Sequence, residues 1–486
     1  MKMQAFSSYD ISEPLLFDDL GSRKVVADFS GGHISSDGGA LLLRQLDQSL
    51  GLCEELAGCF SDFRDQRFVE HSLPELIKQR VFAQALGHED LNDHDTLRRD
   101  PLMAVAVGKE DPLGLDRPQE RSKGSVLASD STLNRLELGN NRETRAHKIK
   151  ADAEKIAALL IRFGVGMLEK NTREVVIDLD ATDTTIHGQQ EGRFFHGYYD
   201  NYCYLPLYAF IGEIPVFAQL RTSDGDASEG TVEALEAIVA ETRRQCPNAR
   251  IIVRGDSGFC REEIMAWCET QTSQVYYCFG LAGNSRLFKE LDDTIFAARA
   301  MACLLGGTAR RFREFDYCTR ESWSRPRRVI GKAEVLPKKE NPRFIVTNLP
   351  AEGFADDTPE RFTPAALYED FYCARGEMEN QIKQQLLDLK ADRTSTHHMA
   401  SNQLRLWFSA FAYMLMERLR TLALKGTSLQ RATAGTIRLR LMKVGACITV
   451  SVRRVYLRLA SSFAFQDVFT RAWQILRYLP KYSATG

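Results

Sequence analysis

Glu174-Val175-Val176-Ile177-Asp178-Leu179-Asp180-Ala181-Thr182-Asp183 is the stretch on which the reading of this chain turns. Val175, Val176 and Ile177 form a β-branched run, which favours a buried, extended strand. Side chains alternate along a strand, so Asp178 and Asp180 point to one face, just where the strand runs out. In open α/β sheets such ends border the crevice that holds ligands. An acidic turn has the same local sequence, so the cluster takes its meaning from what surrounds it. An EF-hand is excluded, because Asp183 and Gln189 occupy the loop positions that need Gly and Glu.

Two further strand-like runs follow at 202–210 and 214–220, close enough together for a hairpin. A predicted helix at 229–244, a strand at 250–253, a short helix at 261–270 and a strand at 274–280 come next. Three consecutive strands and then alternating helix and strand describe a mixed α/β sheet, which is the element order of an RNase H-like core. From 283 to 350 the pattern changes. A helix at 292–305 precedes strand candidates at 310–319, 327–336 and 343–349, dense in Arg and aromatics. Helical spacing resumes at Thr363 and runs to Leu389.

Upstream, GGALLLRQLDQSLGL, LPELIKQRVFAQALG and DTLRRDPLMAVAVG each space apolar residues three and four apart, as amphipathic helices do. A loop is expected at 108–123, and Ser129 to Thr132 supply N-cap residues for one more helix. The tail reads as a helix at 404–423 and two Arg-studded strands over 436–459, turning near Gly445. The predicted organisation is multidomain. A helical region (1–150) precedes an RNase H-like α/β core (151–282 and 362–400), split by a β-rich insertion (283–361) and followed by a basic α+β region (401–486).

Composition is ordinary for a globular protein, with 44% hydrophobic and 26% charged residues among 486. That length suggests about two to four domains. The net charge of −2 is uninformative, but its distribution is not. From Ser401 onward 14 Arg and Lys face only Glu417 and Asp467, an asymmetry that favours a polyanionic partner. The 11 cysteines, among them Cys53, Cys203, Cys278 and Cys447, are scattered and odd in number, so they read as reduced cytoplasmic thiols. MKMQAFSSYDISEPLLFDD has no apolar signal core, and no segment is long and apolar enough to span a bilayer. A soluble, intracellular protein without membrane contact is expected.

A second acid, Asp256, ends the run Ile251-Ile-Val-Arg-Gly-Asp-Ser-Gly-Phe259, where Gly255 and Gly258 permit a sharp turn. A helix N-cap is its alternative role. A third, Glu379, sits in Tyr372-Cys-Ala-Arg375-Gly-Glu-Met-Glu379-Asn-Gln-Ile-Lys383. Arg375, Glu379 and Lys383 share a helix face, which an exposed salt-bridge ladder would also explain. Carboxylates converging from two strands and a helix hold two divalent cations, about 3.5–4 Å apart. Hard oxygen donors without a His/Cys cluster select Mg²⁺ or Mn²⁺. A haloacid-dehalogenase phosphatase is the rival, since Val176-Ile-Asp-Leu-Asp-Ala-Thr182 fits its Asp-x-Asp-x-Thr motif with Asp178 as nucleophile. That family also needs a later Gly-Asp-x-x-x-Asp, whose last position here is Cys260. Trp323, amid Arg320, Arg325, Arg327 and Arg328, suits stacking on an extruded base while arginines hold phosphates, or else a strand-face aromatic in a small β unit. His187 and His196 suit polar structural roles.

Taken in order, several segments resemble the DDE transposases of the insertion-sequence family numbered thirteen-eighty, the "transposase DDE domain group 1" type. They are Phe29-Ser-Gly-Gly-His-Ile-Ser-Ser-Asp-Gly-Gly-Ala40, Asp178 to Tyr199 with its His-Gly-Gln-Gln-Glu-Gly, Tyr204-Leu-Pro-Leu-Tyr208 and Arg254 to Cys260. Glu379-Asn-Gln-Ile-Lys383 and Val450-Ser-Val-Arg-Arg-Val455 complete the set. The resemblance implies an Asp180, Asp256, Glu379 triad holding two metal ions, with Asp178 and then Asp183 as the other candidates for the first position. It implies a bacterial insertion-sequence transposase, nucleoid-associated in the cytoplasm, that cuts and joins double-stranded DNA at terminal inverted repeats and target sites. A homodimer in the synaptic complex is implied too, with Arg453 and Arg454 touching DNA. Related hairpin-forming transposases carry Tyr-x₂-Arg-x₃-Glu-x₆-Lys. Tyr372, Arg375 and Glu379 match it, but Leu386 stands at the Lys position, leaving Lys383 or Lys390 as substitutes. The remaining class is a DNA-binding protein of transposase descent without catalysis.

Overall fold

The computed structural model of the protein describes residues 14–117, 120–140, 146–271 and 274–483. The N-terminal start up to Glu13, part of the reading on leader sequences, lies outside the described residues, as do 118–119 of the expected loop. No helix among the described residues is long and apolar enough to cross a membrane.

The Val175–Ile177 run lies in strand β1 (Glu174–Ala181), which stands between β2 (Leu207–Ile211) and β4 (Arg250–Gly255). β1 is antiparallel to β2 and parallel to β4. β3 (Ile214–Gln219) continues the sheet beyond β2, and β5 (Val275–Leu281) lies parallel to β4 on the other side. All six residues of β4 are buried, as expected of a strand covered on both faces. β6 (Ala309–Tyr317), β7 (Arg327–Leu336) and β8 (Arg343–Thr347) extend the same sheet in the order β5-β8-β7-β6, all antiparallel. With the short Lys339–Glu340 strand on β7, the mixed sheet has nine strands. The segment expected as a β-rich insertion therefore hydrogen-bonds directly onto the sheet that carries the acids.

One face of the sheet packs under the helices Ala153–Val165, Thr231–Gln245, Glu262–Thr270 and Ser285–Leu305. Ile252, Cys278, Ile330 and Ile345 of the other face pack on Leu349, Phe362, Leu367 and Tyr368. The last two residues lie in a helical stretch that begins at Pro364 and is broken by π turns at Leu367–Tyr372 and Gln384–Asp388, a form of helix that recurs at functional sites.

A second core joins the two ends of the chain. The helix Met399–Ala423 is buried along nearly its whole length and packs against the helix Leu73–Leu86 and against β3. Strand His33–Ser35 pairs with Ala446–Ser451. At the centre lies Glu137, 2% exposed, whose two carboxylate oxygens accept from Arg80 Nε at 2.8 Å and Arg405 Nε at 2.6 Å. Burial alone would raise its pKa, but the two guanidinium groups outweigh that and hold it below the usual range.

Several expectations are corrected by this packing. The first of the two strands read over 436–459 begins as helix, since Ala434–Ile437 continues into a π turn, Arg438–Met442. Thr433 caps it, and Ile437 and Leu441, four apart, are both fully buried. The strands are Ala446–Ser451 and Arg454–Leu459, turning at Val452 and Arg453 and not at Gly445. The run at 202–210 is two strands, Asn201–Tyr204 and Leu207–Ile211, in different sheets, because Pro206 lacks the N–H a ladder needs. DTLRRDPLMAVAVG is split before Pro101, where Asp100 caps Leu102 and Met103. The basic tail is also less free than its charge implies. Arg405 pairs with Glu137, Arg420 with Glu417 and Glu213, and Lys443 with Asp37.

Candidate active site

β1 presents Asp178 and Asp180 on one face, but their surroundings differ. Asp178 is buried and opposes Arg254 in the parallel ladder. Arg254 donates from Nε to Oδ1 at 2.5 Å and from Nη2 to Oδ2 at 2.8 Å, and its Nη1 reaches the Phe371 carbonyl. A bidentate pair of this kind commits both carboxylate oxygens. Asp178 is thus occupied in fastening β1, β4 and the 367–372 turn together. The nucleophile of the phosphatase alternative has no free oxygen here.

Asp180 has no such partner. Its nearest cation is Arg375, Nη1 to Oδ1 at 3.6 Å, and that guanidinium also contacts Glu379 Oε1 at 3.1 Å. Burial pushes the Asp180 carboxyl up to about 6, Arg375 opposes this, and the nearby charges of Asp256 and Glu379 raise it further. Three carboxylates therefore stand close enough to feel one another, with one guanidinium among them.

Asp256 follows β4 and caps the tight turn Ser257–Phe259, its Oδ1 accepting from Gly258 N–H at 2.7 Å. The N-cap role weighed for it is present, and its location beside Asp180 comes in addition. Gly280 of β5 allows the close approach behind this turn. A Cβ there would lie 2.5 Å from the Tyr372 hydroxyl and 3.0 Å from Ser257 N. Tyr372 fills that space beside Arg375, and burial pushes its hydroxyl up to about 12. Glu379 and Lys383 are on the helix Gly376–Lys383, both exposed.

Leu386 is half-buried against the core, because the π turn at Gln384–Asp388 changes the face that position 386 presents. A lysine there would point inward, so Lys383 is the cation left on the Glu379 face, while Lys390 lies 4.0 Å from Glu89. Asp183 stands beyond the end of β1 and accepts from Asn201 Nδ2 at 3.3 Å. His187 is exposed, and His196 packs on Tyr199 with ring centroids 4.9 Å apart.

Trp323 is corrected. It is buried, edge-on to Tyr317 at 5.7 Å, and the Arg327 guanidinium lies over its ring at 5.4 Å. Arg327 is in turn held by Glu262 and Glu269, and Arg328 by Glu314 and the carbonyls of Leu349 and Phe362. None of the three offers DNA a free group. Arg453 and Arg454, at the C-terminal hairpin turn, are exposed.

Two neighbours of the site lie in segments that carried the family resemblance, but their contacts were not legible in the sequence. Arg254 is one, legible only once β1 and β4 are set side by side. The other is the segment Phe194-Phe195-His196-Gly197-Tyr198-Tyr199, whose aromatic density in polar surroundings was the available signal. Tyr199 donates to the Ala181 carbonyl at 3.3 Å, next to Asp180.

As placed, no three His, Cys, Asp or Glu residues among the described ones stand close enough together to hold one metal ion. The mixed α/β fold places two acids, Asp180 and Asp256, at the ends of adjacent parallel strands. The profile of the transposase DDE domain group 1 family matches residues 17–481, and the chain belongs to that family. It is therefore a DDE transposase, of a class that works on DNA and generally uses divalent metal ions. No curated protein matches the chain significantly. Among solved structures it is similar to the cryo-EM structure of the piggyBac transposase synaptic complex with hairpin DNA, with 12% identity and a TM-score of 0.41. That similarity covers 84% of this chain and 80% of the other.

Proposed function

We propose that the chain is the transposase of a bacterial insertion sequence and that Asp180, Asp256 and Glu379 are its catalytic triad. The observation that carries this reading is the charge deficit at the site. Burial above all, and then the charges of Asp256 and Glu379, push Asp180 up to about 6, and the one guanidinium beside it, shared with Glu379, does not offset them. A cluster of hard oxygen donors short of positive charge suits Mg²⁺ or Mn²⁺. Drawn closer together than they stand here, Asp180, Asp256 and Glu379 would hold two such ions. When bound, they supply the acidified attacking oxygen and the stabilised leaving oxygen of an in-line displacement at phosphorus.

The chain's own residues do the rest. Arg375, already in contact with two of the acids, turns its planar fork to the phosphate beside them. Tyr372 backs Arg375, and Lys383, one turn after Glu379, offers a second cation to the strand. Asp178 and Arg254 fix the height of β1 against β4, and so the placing of Asp180. In this reading β3-β2-β1-β4-β5, with the 364–389 helical stretch, is an RNase H-like core. The helical part within 1–150 recognises the inverted repeats, and Arg453 and Arg454 add phosphate contacts. Two copies synapse two ends.

The test incubates the protein with labelled DNA carrying the element's ends, with and without Mg²⁺. Nicks at the ends are expected only with Mg²⁺. They should disappear in D180N, D256N and E379Q, with end binding retained. Cleavage by D180N at the wild-type rate, with D178N inactive, would move the first ligand to Asp178.

A further inference from the structure

We propose that Gln385 is a positioning residue for Glu379, and that Tyr208 and Ser409 form a buried polar seat that receives its amide when the three acids draw together. The inference rests on the triad reading and adds to it the part of the chain that sets the place of Glu379.

Gln385, Tyr208 and Ser409 are fully buried, and among the described residues none of their side-chain polar atoms has a hydrogen-bond partner. A buried amide left unpaired costs free energy that an apolar side chain of similar size would not. The contacts around the three bring them to one place. Tyr208 lies on β2, directly across the ladder from Asp180 of β1 on one side and Ala218 of β3 on the other, so its side chain shares a sheet face with Asp180. The helix Met399–Ala423 crosses that face. Its Gln403 Nε2 donates to Ala218 O at 3.2 Å and its Oε1 accepts from Leu220 N at 2.5 Å, while its Tyr413 ring meets Phe210 at 6.3 Å. Tyr208 stands between those two points, along the stretch that carries Ser409.

The segment with Glu379 runs antiparallel to this helix. Tyr413 Oη donates to Gln381 Oε1 at 2.5 Å near one end, and Arg405 Nη1 to Ser395 Oγ at 2.6 Å near the other. Gln385, one turn after Gln381, therefore lies toward Ser409, one turn before Tyr413. On the remaining side Ala391 N donates to Gln385 O at 3.1 Å. Burial above all raises the Tyr208 hydroxyl, and the charges of Asp180 and of Asp392, next to Ala391, add to it.

This helical segment has the breaks that movement needs. Gln385 sits in the π turn Gln384–Asp388, and a 3₁₀ turn at Cys373–Arg375 interrupts the helix upstream, where such a turn marks a hinge. Between them Glu379 is exposed, 3.1 Å from Arg375, and shares no site with Asp180 and Asp256 that would hold a metal ion as placed. A small slide or rotation between the two breaks lets Tyr208 O–H donate to Gln385 Oε1 and Gln385 Nε2 donate to Ser409 Oγ, which satisfies all four atoms. Tyr208 is the cross-strand neighbour of Asp180, so seating the amide there fixes the Glu379 helix against the strand of the first acid.

The test titrates Mn²⁺ into wild type, E379Q, Q385L, Y208F and the Q385L/Y208F double variant by calorimetry, and measures the metal-free stability of each by denaturant unfolding. The wild type is expected to bind Mn²⁺ and E379Q to bind it more weakly. Q385L and Y208F should each weaken binding about 2- to 10-fold, the net contribution of one hydrogen bond, and the double variant no more than either alone. Without metal, Q385L should be at least as stable as wild type, and its effect should add to that of Y208F. A less stable metal-free Q385L, or coupling between positions 208 and 385 without metal, would mean that the amide is already paired and would overturn the seat. So would unchanged Mn²⁺ affinity in Q385L with E379Q weakened, which leaves the triad standing. Mn²⁺ binding that E379Q does not alter, or no binding by the wild type, would overturn the triad reading and this inference with it.

Discussion

Two clusters of charge in this molecule make opposite use of arginine. Around Glu137 one carboxylate meets two guanidinium groups, each at hydrogen-bond distance and all nearly sealed from water. Around Asp180 three carboxylates meet one guanidinium, which touches two of them loosely. In the first, burial is answered within the chain, and the carboxylate stays ionised. In the second it is not, and the carboxyl is driven toward protonation. A buried carboxylate met by two guanidinium groups is a fastener. A deficient cluster, placed at strand ends, is waiting for charge from outside the chain.

The comparison breaks most visibly at Glu137. Glu137→Ala leaves two buried guanidinium groups without their anion, which costs about 3–5 kcal/mol. Denaturant unfolding should show that loss, and a loss below about 1 kcal/mol would mean that the cluster fastens nothing.

Asp180→Asn should act in the opposite direction. Its carboxyl titrates near 6 in the folded chain against 3.8 ordinarily, so above pH 6 the fold carries a charge it disfavours, and below about 4 it carries none. Asparagine avoids that penalty. The variant should be more stable than wild type by up to about 2–3 kcal/mol at pH 7.5 without divalent metal, and the gain should fade as the pH drops below 4. Thermal unfolding across that range checks it, and a destabilised variant at pH 7.5 would contradict the deficit.

The smallest effect is at Arg375. Arg375→Lys keeps the positive charge but loses the planar fork, and single-turnover cleavage of a pre-nicked end should fall about tenfold. An exposed ladder pair would contribute only about 0.3–0.5 kcal/mol and leave the rate nearly unchanged.

Much of the sheet was legible before any coordinates. β-branched runs marked β1 and β4, and a switch from three-and-four spacing to alternation marked where helices gave way to strands. What escaped has identifiable causes. Arg438, Leu439 and Arg440 alternate like a strand, and only the burial of Ile437 and Leu441 against distant helices makes that stretch helical. Trp323 stands among arginines in sequence, but the carboxylates that draw Arg327 inward, Glu262 and Glu269, lie some sixty residues earlier. At the candidate site, the order strand acid, strand acid, helix acid was readable. The distinction between Asp178 and Asp180 was not, since alternation treats them alike and only Arg254, across the ladder, separates them.

The Glu137 cluster also sets a timetable. Arg405 follows Glu137 by 268 residues, and strand His33–Ser35 pairs with a strand that begins at Ala446. At about 5–20 residues per second of translation, the first of these partners waits tens of seconds for the second. During that interval the early helices present to the cell the apolar surface that helix Met399–Ala423 will cover. The core that the N-terminal helices share with the later chain is thus completed only after residues 399–459 have been made.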